Sequence, residues 1–431
     1  MKKSSRYLLI GFGFVVFFVI APLLILYVSG TKLHLDSRNA SSTGILDVKS
    51  EPSGAQVSVN DDEKGATPTT VRFLTQGEYL VTISKEGYYD WSKRLPIESG
   101  QVRFAQEGVD VVQLIKKSTE TIISPNNVSS FLLAGDTIWF AQNNNLVYAP
   151  LNEPTKQTTL NNVFTAPGNI WLLRDKKHIL VPNGKQSVLI NSSSKIVSTL
   201  PFEVTRDWQI QTPSDDIVIY GDGGTLTSYN LNTKVSTQVK SGVRAFTMIN
   251  NTAYFARTDG VISSAVWNGT NFTDEQAISN NVQLDKSNVS LIITDRKELF
   301  LDNAGSGFYR VGPVLDQIVS RVDKALLDPI TNEMTLQVAG ELWFYNFLTN
   351  KPQLLTRSTE QVSSFFIRSS IGYGFVGSAS GLEIVEIDTR DKQNRYKIIS
   401  NKPVYQIAIT ANQKTVLALQ DGALVMLELR D

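Results

Sequence analysis

The chain begins with an apolar block and then changes to alternation. Tyr7 to Val28 (YLLIGFGFVVFFVIAPLLILYV) carries no formal charge over about 22 residues. At about 1.5 Å per residue such a helix is roughly 33 Å long, enough for a hydrocarbon core of about 30 Å. Beyond it, apolar and polar positions alternate in short runs broken by Gly, Asn, Asp and Pro, the pattern of half-buried strands and turns. Ala55, Val57 and Val59 alternate with Gln56, Ser58 and Asn60, and Tyr79, Val81 and Ile83 form a second such set. No long helical periodicity follows residue 28, so the pattern predicts an all-β protein behind one N-terminal helix.

From residue 118 to 431 the strands recur in sets at a period of about 35–45 residues, a mark of β-propellers. The sets open at VSSFLLA (128), NIWLLRD (169), WQIQTPS (208), RAFTMIN (244), VSLIITD (289), KALLDPI (324), VSSFFIRSS (362) and VYQIAIT (404). Seven sets hold four strands. The last holds three before the chain ends, and an open sheet edge invites aggregation. The run Thr119-Glu120-Thr121-Ile122-Ile123 is the expected closing strand, giving eight blades; merging two sets would leave seven. Asp222-Gly223-Gly224, Asp259-Gly260 and Asp421-Gly422 read as hairpin turns, since these residues tolerate positive φ. The propeller pattern loosely resembles quinoprotein-like or WD-type propellers, although no WD dipeptide repeats.

The segment between the apolar block and the propeller carries four motifs in order. They are P-S-G-A (Pro52 to Ala55), G-x-T-P (Gly65 to Pro68), G-x-Y-x-V (Gly77 to Val81) and K-x-G-Y-x-x-W (Lys85 to Trp91). Together they resemble a PEGA domain over about 70 residues. Ser53 stands where the family motif has Glu, in an expected exposed turn. The resemblance implies a small β-sandwich used as an interaction or spacer module on bacterial and archaeal surface proteins, without catalytic residues. Tyr88, Tyr89 and Trp91 admit two readings: a platform for glycan rings, or core closure by Tyr88 and Trp91 with Tyr89 on the outer face.

These patterns predict a cytoplasmic tail (1–6), a transmembrane anchor (7–28), a polar linker (29–43), a PEGA-like β-sandwich (44–115) and a β-propeller (118–431). Lys2, Lys3 and Arg6 precede the apolar block, so the N-terminus is expected in the cytoplasm and the remainder outside a bacterial cell membrane. A cleaved signal peptide, with Val28-Ser29-Gly30 as its site, is the rival; the apolar core exceeds the usual 7–15 residues, which favours an uncleaved signal-anchor.

Charge and composition then exclude several chemistries. Lys+Arg and Asp+Glu both number 41, which lacks the basic field a nucleic-acid binder needs. With no cysteine and only His34 and His178, disulfides, thiolate metal sites and His-rich centres fall away. A Ser/His/Asp triad would depend on His178 alone. Asp215, Asp216 and Asp222, or Asp259, offer oxygen ligands of the Ca²⁺ type, yet turn chemistry accounts for each and no EF-hand loop is present. GDGG (221–224) lacks the Lys-Ser/Thr of a phosphate loop and precedes a strand. The sequons at Asn127, Asn191, Asn268 and Asn288 read as chance matches in an Asn-rich chain.

No catalytic, cofactor-binding or metal residue is therefore assigned, and no enzyme activity is expected. The expected function is a membrane-anchored cell-surface binding or scaffolding protein, presenting its propeller to a protein or cell-envelope glycan partner. Two alternatives stand beside it: a glycan-acting hydrolase or lyase built on the propeller, and a structural component of an envelope assembly.

Overall fold

The computed structural model describes residues 11–28, 31–34, 39–106, 109–163, 168–204, 210–222, 224–285, 289–303, 306–328 and 331–430. Residues 7–10 of the apolar block, Gly223 and Asn288 lie outside them. Residues 11–28 are helical, with a π-helical stretch at Val16–Ile20 leading into an α-helix at Ala21–Val28. Among the described residues no helix is long and apolar enough to cross a membrane. Part of the expected linker is paired: Thr31–His34 runs antiparallel to Asn39–Ser42 as a two-stranded ribbon.

The small domain is a sandwich. One sheet orders Asp62–Ala66, Gln56–Val59, Gly77–Ser84 and Trp91–Ile97; the other orders Val102–Phe104, Gly44–Val48 and Thr69–Leu74. Alternation decides what faces inward. Val57, Val59, Val81, Ile83, Trp91, Leu95 and Ile97 from one sheet meet Leu46, Val48 and Val71 from the other. The first two sequence motifs hold each other. Thr67 Oγ1 accepts the Ala55 N–H at 3.0 Å, the Gly54 N–H donates to Thr67 O at 2.8 Å, and Gly54 takes φ +73°.

The remaining chain folds into eight four-stranded antiparallel sheets, each a simple meander except the last. We number them blades 1 to 8; they span residues 128–160, 171–200, 210–241, 243–279, 289–319, 324–357, 362–400 and 404–428. In blade 8 the outermost strand is Thr121–Ser124, pairing antiparallel with Ala423–Glu428. The expected closure by the segment before blade 1 is what the structure shows. The Asp421-Gly422 turn has positive φ at both residues (47° and 77°), joining Gln420 to Ala423.

Eight apolar cores, one between each pair of neighbouring blades, make the ring continuous. The seam between blades 8 and 1 holds Phe131, Leu133, Phe140, Leu417, Leu419 and Leu424. The seam between blades 7 and 8 holds Phe375, Ile384, Val416 and Val425, and takes in Ile115 from the segment leaving the small domain. First strands lie innermost, and fourth strands are the most exposed, as in Ser236–Ser241 and Phe272–Ser279.

Candidate binding face of the propeller

Two sets of connections emerge on one face of the ring: those joining first to second strands and those joining third to fourth strands. We call this the loop face. Blades 7 and 8 of this face are occupied by the small domain. Glu386, at the end of the third strand of blade 7, accepts the Trp91 indole N–H at 2.8 Å on Oε1 and the Lys93 ammonium at 2.9 Å on Oε2. Lys93 also donates to the Asp388 carbonyl at 2.7 Å. The Asp388 carboxylate is bridged by Arg390, whose guanidinium reaches the carbonyls of Phe104 and Ala105 at 3.3 and 2.8 Å. The side chains of Lys93, Glu386 and Asp388 are all 0% exposed.

Burying charge is costly unless each group is paired and hydrogen-bonded. Here two cations meet two carboxylates, and Asn394 donates to Glu386 Oε2 through both its backbone N–H and its amide. The loop of blade 7 also caps a sheet edge. Trp91–Ile97 is an edge strand, and such edges leave N–H groups unpaired. Asp391 accepts the Arg94 N–H at 2.8 Å, and Asn394 accepts the Ser92 N–H at 3.3 Å. The Arg94 N–H holds the Asp391 carboxyl below its ordinary range. Gly372 approaches so closely that a Cβ there would meet Gln106 Nε2 at 2.2 Å.

The expected aromatic cluster divides accordingly. Tyr88 and Trp91 are core residues of the sandwich. Tyr89 packs against Tyr396 of blade 7, ring centroids 5.3 Å apart. Its side of the domain is the junction, so it is not a free outer-face ring. Burial raises the phenols of Tyr373 and Tyr396 above their ordinary range; each hydroxyl donates to a small-domain carbonyl, that of Gln113 and of Asp90.

Blades 2 to 6 leave their part of the loop face open. A cleft of about 820 Å³ runs from blade 5 to blade 7, with Phe344, Tyr345 and Phe347 on one side and Arg296, Glu333 and Thr389 among its polar groups. Two smaller clefts lie nearer the ring axis, and a third sits between blades 2 and 3. At the axis, Arg174 and Lys176 of blade 2 reach Asp295 of blade 5 at 3.6 and 3.4 Å. The carboxylate at the channel mouth is thus engaged by two cations.

Exposed apolar side chains concentrate in the third-to-fourth-strand connections. Leu348 (89% exposed) and Val314 (82%) stand at the loops of blades 6 and 5, and Ile196 and Val235 at those of blades 2 and 3. Val266 of blade 4 is exposed beside its loop. Three of these loops repeat one construction. Asn191, Asn230 and Asn346 accept N–H groups two and three residues onward, and Lys195, Lys234 and Asn350 take φ of 61°, 60° and 53°. The repeated N-x-x-[ST]-[KN] was visible in the sequence. Its consequence, an apolar tip beside each turn, was not drawn from it.

The remaining sequence candidates are placed apart. Asp215 and Asp216 sit in the first loop of blade 3, whereas Asp222 ends the following strand, Ile217–Asp222. Five strand steps separate Asp222 from Ile217, about 17 Å, so these carboxylates do not converge. Asp259 is paired with Arg257. Among the described residues no cluster of three metal-ligating side chains occurs. His178 is buried, with Nδ1 2.5 Å from Asp175 Oδ2, and the Thr212 hydroxyl bonds that same carboxylate rather than the imidazole. Burial would raise Asp175, but the bonds from His178, Thr212 and the Lys177 N–H outweigh it and hold the carboxyl low. The trio links blades 2 and 3. Asn191 and Asn268 serve as turn acceptors. One group escaped sequence reasoning: Asp302, whose Oδ1 lacks a partner among the described residues and whose carboxyl burial pushes up to about 6.

Comparison with known proteins agrees with this architecture. Residues 43–106 match the PEGA domain family. The whole-chain fold is similar to the C-terminal WD40 domain of Sif2, at 11% identity and TM-score 0.50, over 74% of this chain and 99% of that one. It is equally similar to Sqt1 of Saccharomyces cerevisiae, at 11% identity and TM-score 0.50, over 74% of this chain and all of the other. No curated protein matches the chain. At such identity the likeness defines the propeller fold alone, and a propeller hosts many functions.

Proposed function

We propose that the chain is a membrane-anchored scaffold whose propeller binds a partner outside the cytoplasm, with the PEGA domain as its rigid support. The observation that carries the anchor is the N-terminal helix. Phe12, Phe14, Phe17, Phe18 and Ile25 are each more than 60% exposed, and the π-helical stretch buries none of its residues. A helix apolar all round with nothing packed on it has the surface of a membrane segment rather than of a soluble one. The uncharged run continues to Tyr7, and the basic residues Lys2, Lys3 and Arg6 precede it, which favours a cytoplasmic N-terminus.

Binding rather than catalysis is supported by the loop face. Its carboxylates at the channel mouth and the domain junction are engaged by cations, whereas its exposed apolar tips are free to be covered. The test is fractionation of the full chain with an alkaline carbonate wash, followed by protease treatment of intact cells. The expected result is a chain that stays with the membrane and a propeller digested from outside. Release by carbonate, or protection of the propeller in intact cells, overturns the reading.

A further inference from the structure

The small domain has two ends, and the chain uses them for different purposes. Its contacts with the propeller gather at Trp91, Lys93, Phe104, Ala105 and Gln113. The incoming chain arrives elsewhere. A Cβ on Gly44 would touch Ile97 and Glu98, and the Gly100 N–H donates to Thr43 O. Within the strand Trp91–Ile97, the junction is at the first residue and the entry point at the last, six steps or about 20 Å apart. The sandwich therefore stands as a post between the N-terminal segment and the ring.

The post rests on the loop face. Its partners Glu386, Asp388, Arg390 and Gly372 belong to blade 7, and Lys116 N donates to Leu429 O at the end of blade 8. The loop face consequently looks back along the post toward the helix at residues 11–28. Ile196, Val235, Val266, Val314 and Leu348 project from blades 2 to 6 on that side, in the arc that the small domain leaves uncovered. Exposed apolar groups gathered on one face mark an interaction site.

Resting on the anchored reading above, we infer that this arc docks the membrane-proximal, extracytoplasmic part of a second membrane protein. The geometry selects that occupant. A post about 20 Å tall keeps the rim off the lipid, so the bilayer itself does not cover the tips. It also leaves, between rim and bilayer, a space the size of a small extramembrane domain. A partner fixed in the same membrane enters that space sideways, on the side opened by blades 2 to 6.

The absence of cysteine makes the test direct. Single cysteines carrying a photo-cross-linker are placed in the full chain at Val314 or Leu348, and on the opposite face at Asp421, in native membranes. Carbonate washing of the same membranes reports anchoring separately. The expected result is an adduct with an integral membrane protein from positions 314 and 348, at least about tenfold stronger than from 421. V314D/L348D should reduce it by about tenfold or more, as loss of a hot spot does, with an unchanged thermal midpoint. If the chain is released by carbonate, the anchored reading fails. If it stays and the adducts are lipid, a second copy of this chain or a soluble protein, or arise equally from 421, the inference fails alone.

Discussion

The junction at blades 7 and 8 and the open arc of blades 2 to 6 share one face and are built in opposite ways. The junction buries charge and satisfies it: Lys93, Glu386 and Asp388 are fully covered, and Trp91, Asn394 and Arg390 complete their bonds. The arc exposes apolar tips and leaves them uncovered. Linked domains move relative to one another unless their interface is extensive. Here an edge strand is capped by side chains of the ring, and Leu114 and Ile115 enter the cores of the two domains in succession. The comparison teaches that the contact within the chain is specified by directed polar groups, while the surface left for other molecules is apolar and simple in shape.

Breaking the junction should have the largest effect. Lys93→Met leaves two buried carboxylates with less cation, and removing one partner of a buried pair costs about 3–5 kcal/mol. The expected outcome is a lower unfolding midpoint for the full chain in detergent, together with new proteolysis between residues 106 and 118. A midpoint unchanged within error would mean that the domains do not dock through this network.

Asp302 sharpens the same comparison, because it is largely buried yet lacks a partner for Oδ1. Its folded value is raised to about 6 from 3.8. The protonated form therefore suits the fold, and stability is lost as pH rises from about 4 through about 6. In Asp302→Asn that loss should disappear: thermal midpoints of variant and parent differ at pH 7 and converge at pH 4. A parallel pH dependence in the two proteins would contradict it.

The smallest effect on stability belongs to the arc. Leu348→Asp, at a side chain 89% exposed, should change unfolding by no more than about 0.5 kcal/mol, in contrast to its effect on docking. A larger loss in denaturant titration would show the tip to be packed in solution.

Most of the ring was legible because its information is local. Period, turn residues and alternation specify each meander, and Thr121–Ser124 was recognisable as a strand that the last blade lacked. The junction was not, although it left a mark. Trp91, Lys93, Leu95 and Ile97 share one register, as do Leu382, Ile384 and Glu386. A Lys and a Glu each stand at an inward position of an otherwise apolar strand face. Alternation shows that each is buried, but not that they meet, since 293 residues of chain separate them (386 − 93). The arc was illegible for a different reason. Whether Leu348 or Phe347 ends exposed depends on what the neighbouring blade and the small domain cover, which no local pattern encodes.

The account rests on the loop face turning toward the anchor. With the full chain in lipid vesicles, a donor fluorophore on a single cysteine at 348 or at 421 and acceptor lipids in the outer leaflet measure this directly. We predict markedly stronger energy transfer from 348 than from 421, because about 20 Å of blade separates the two faces. Equal transfer from both positions, or stronger transfer from 421, would contradict it.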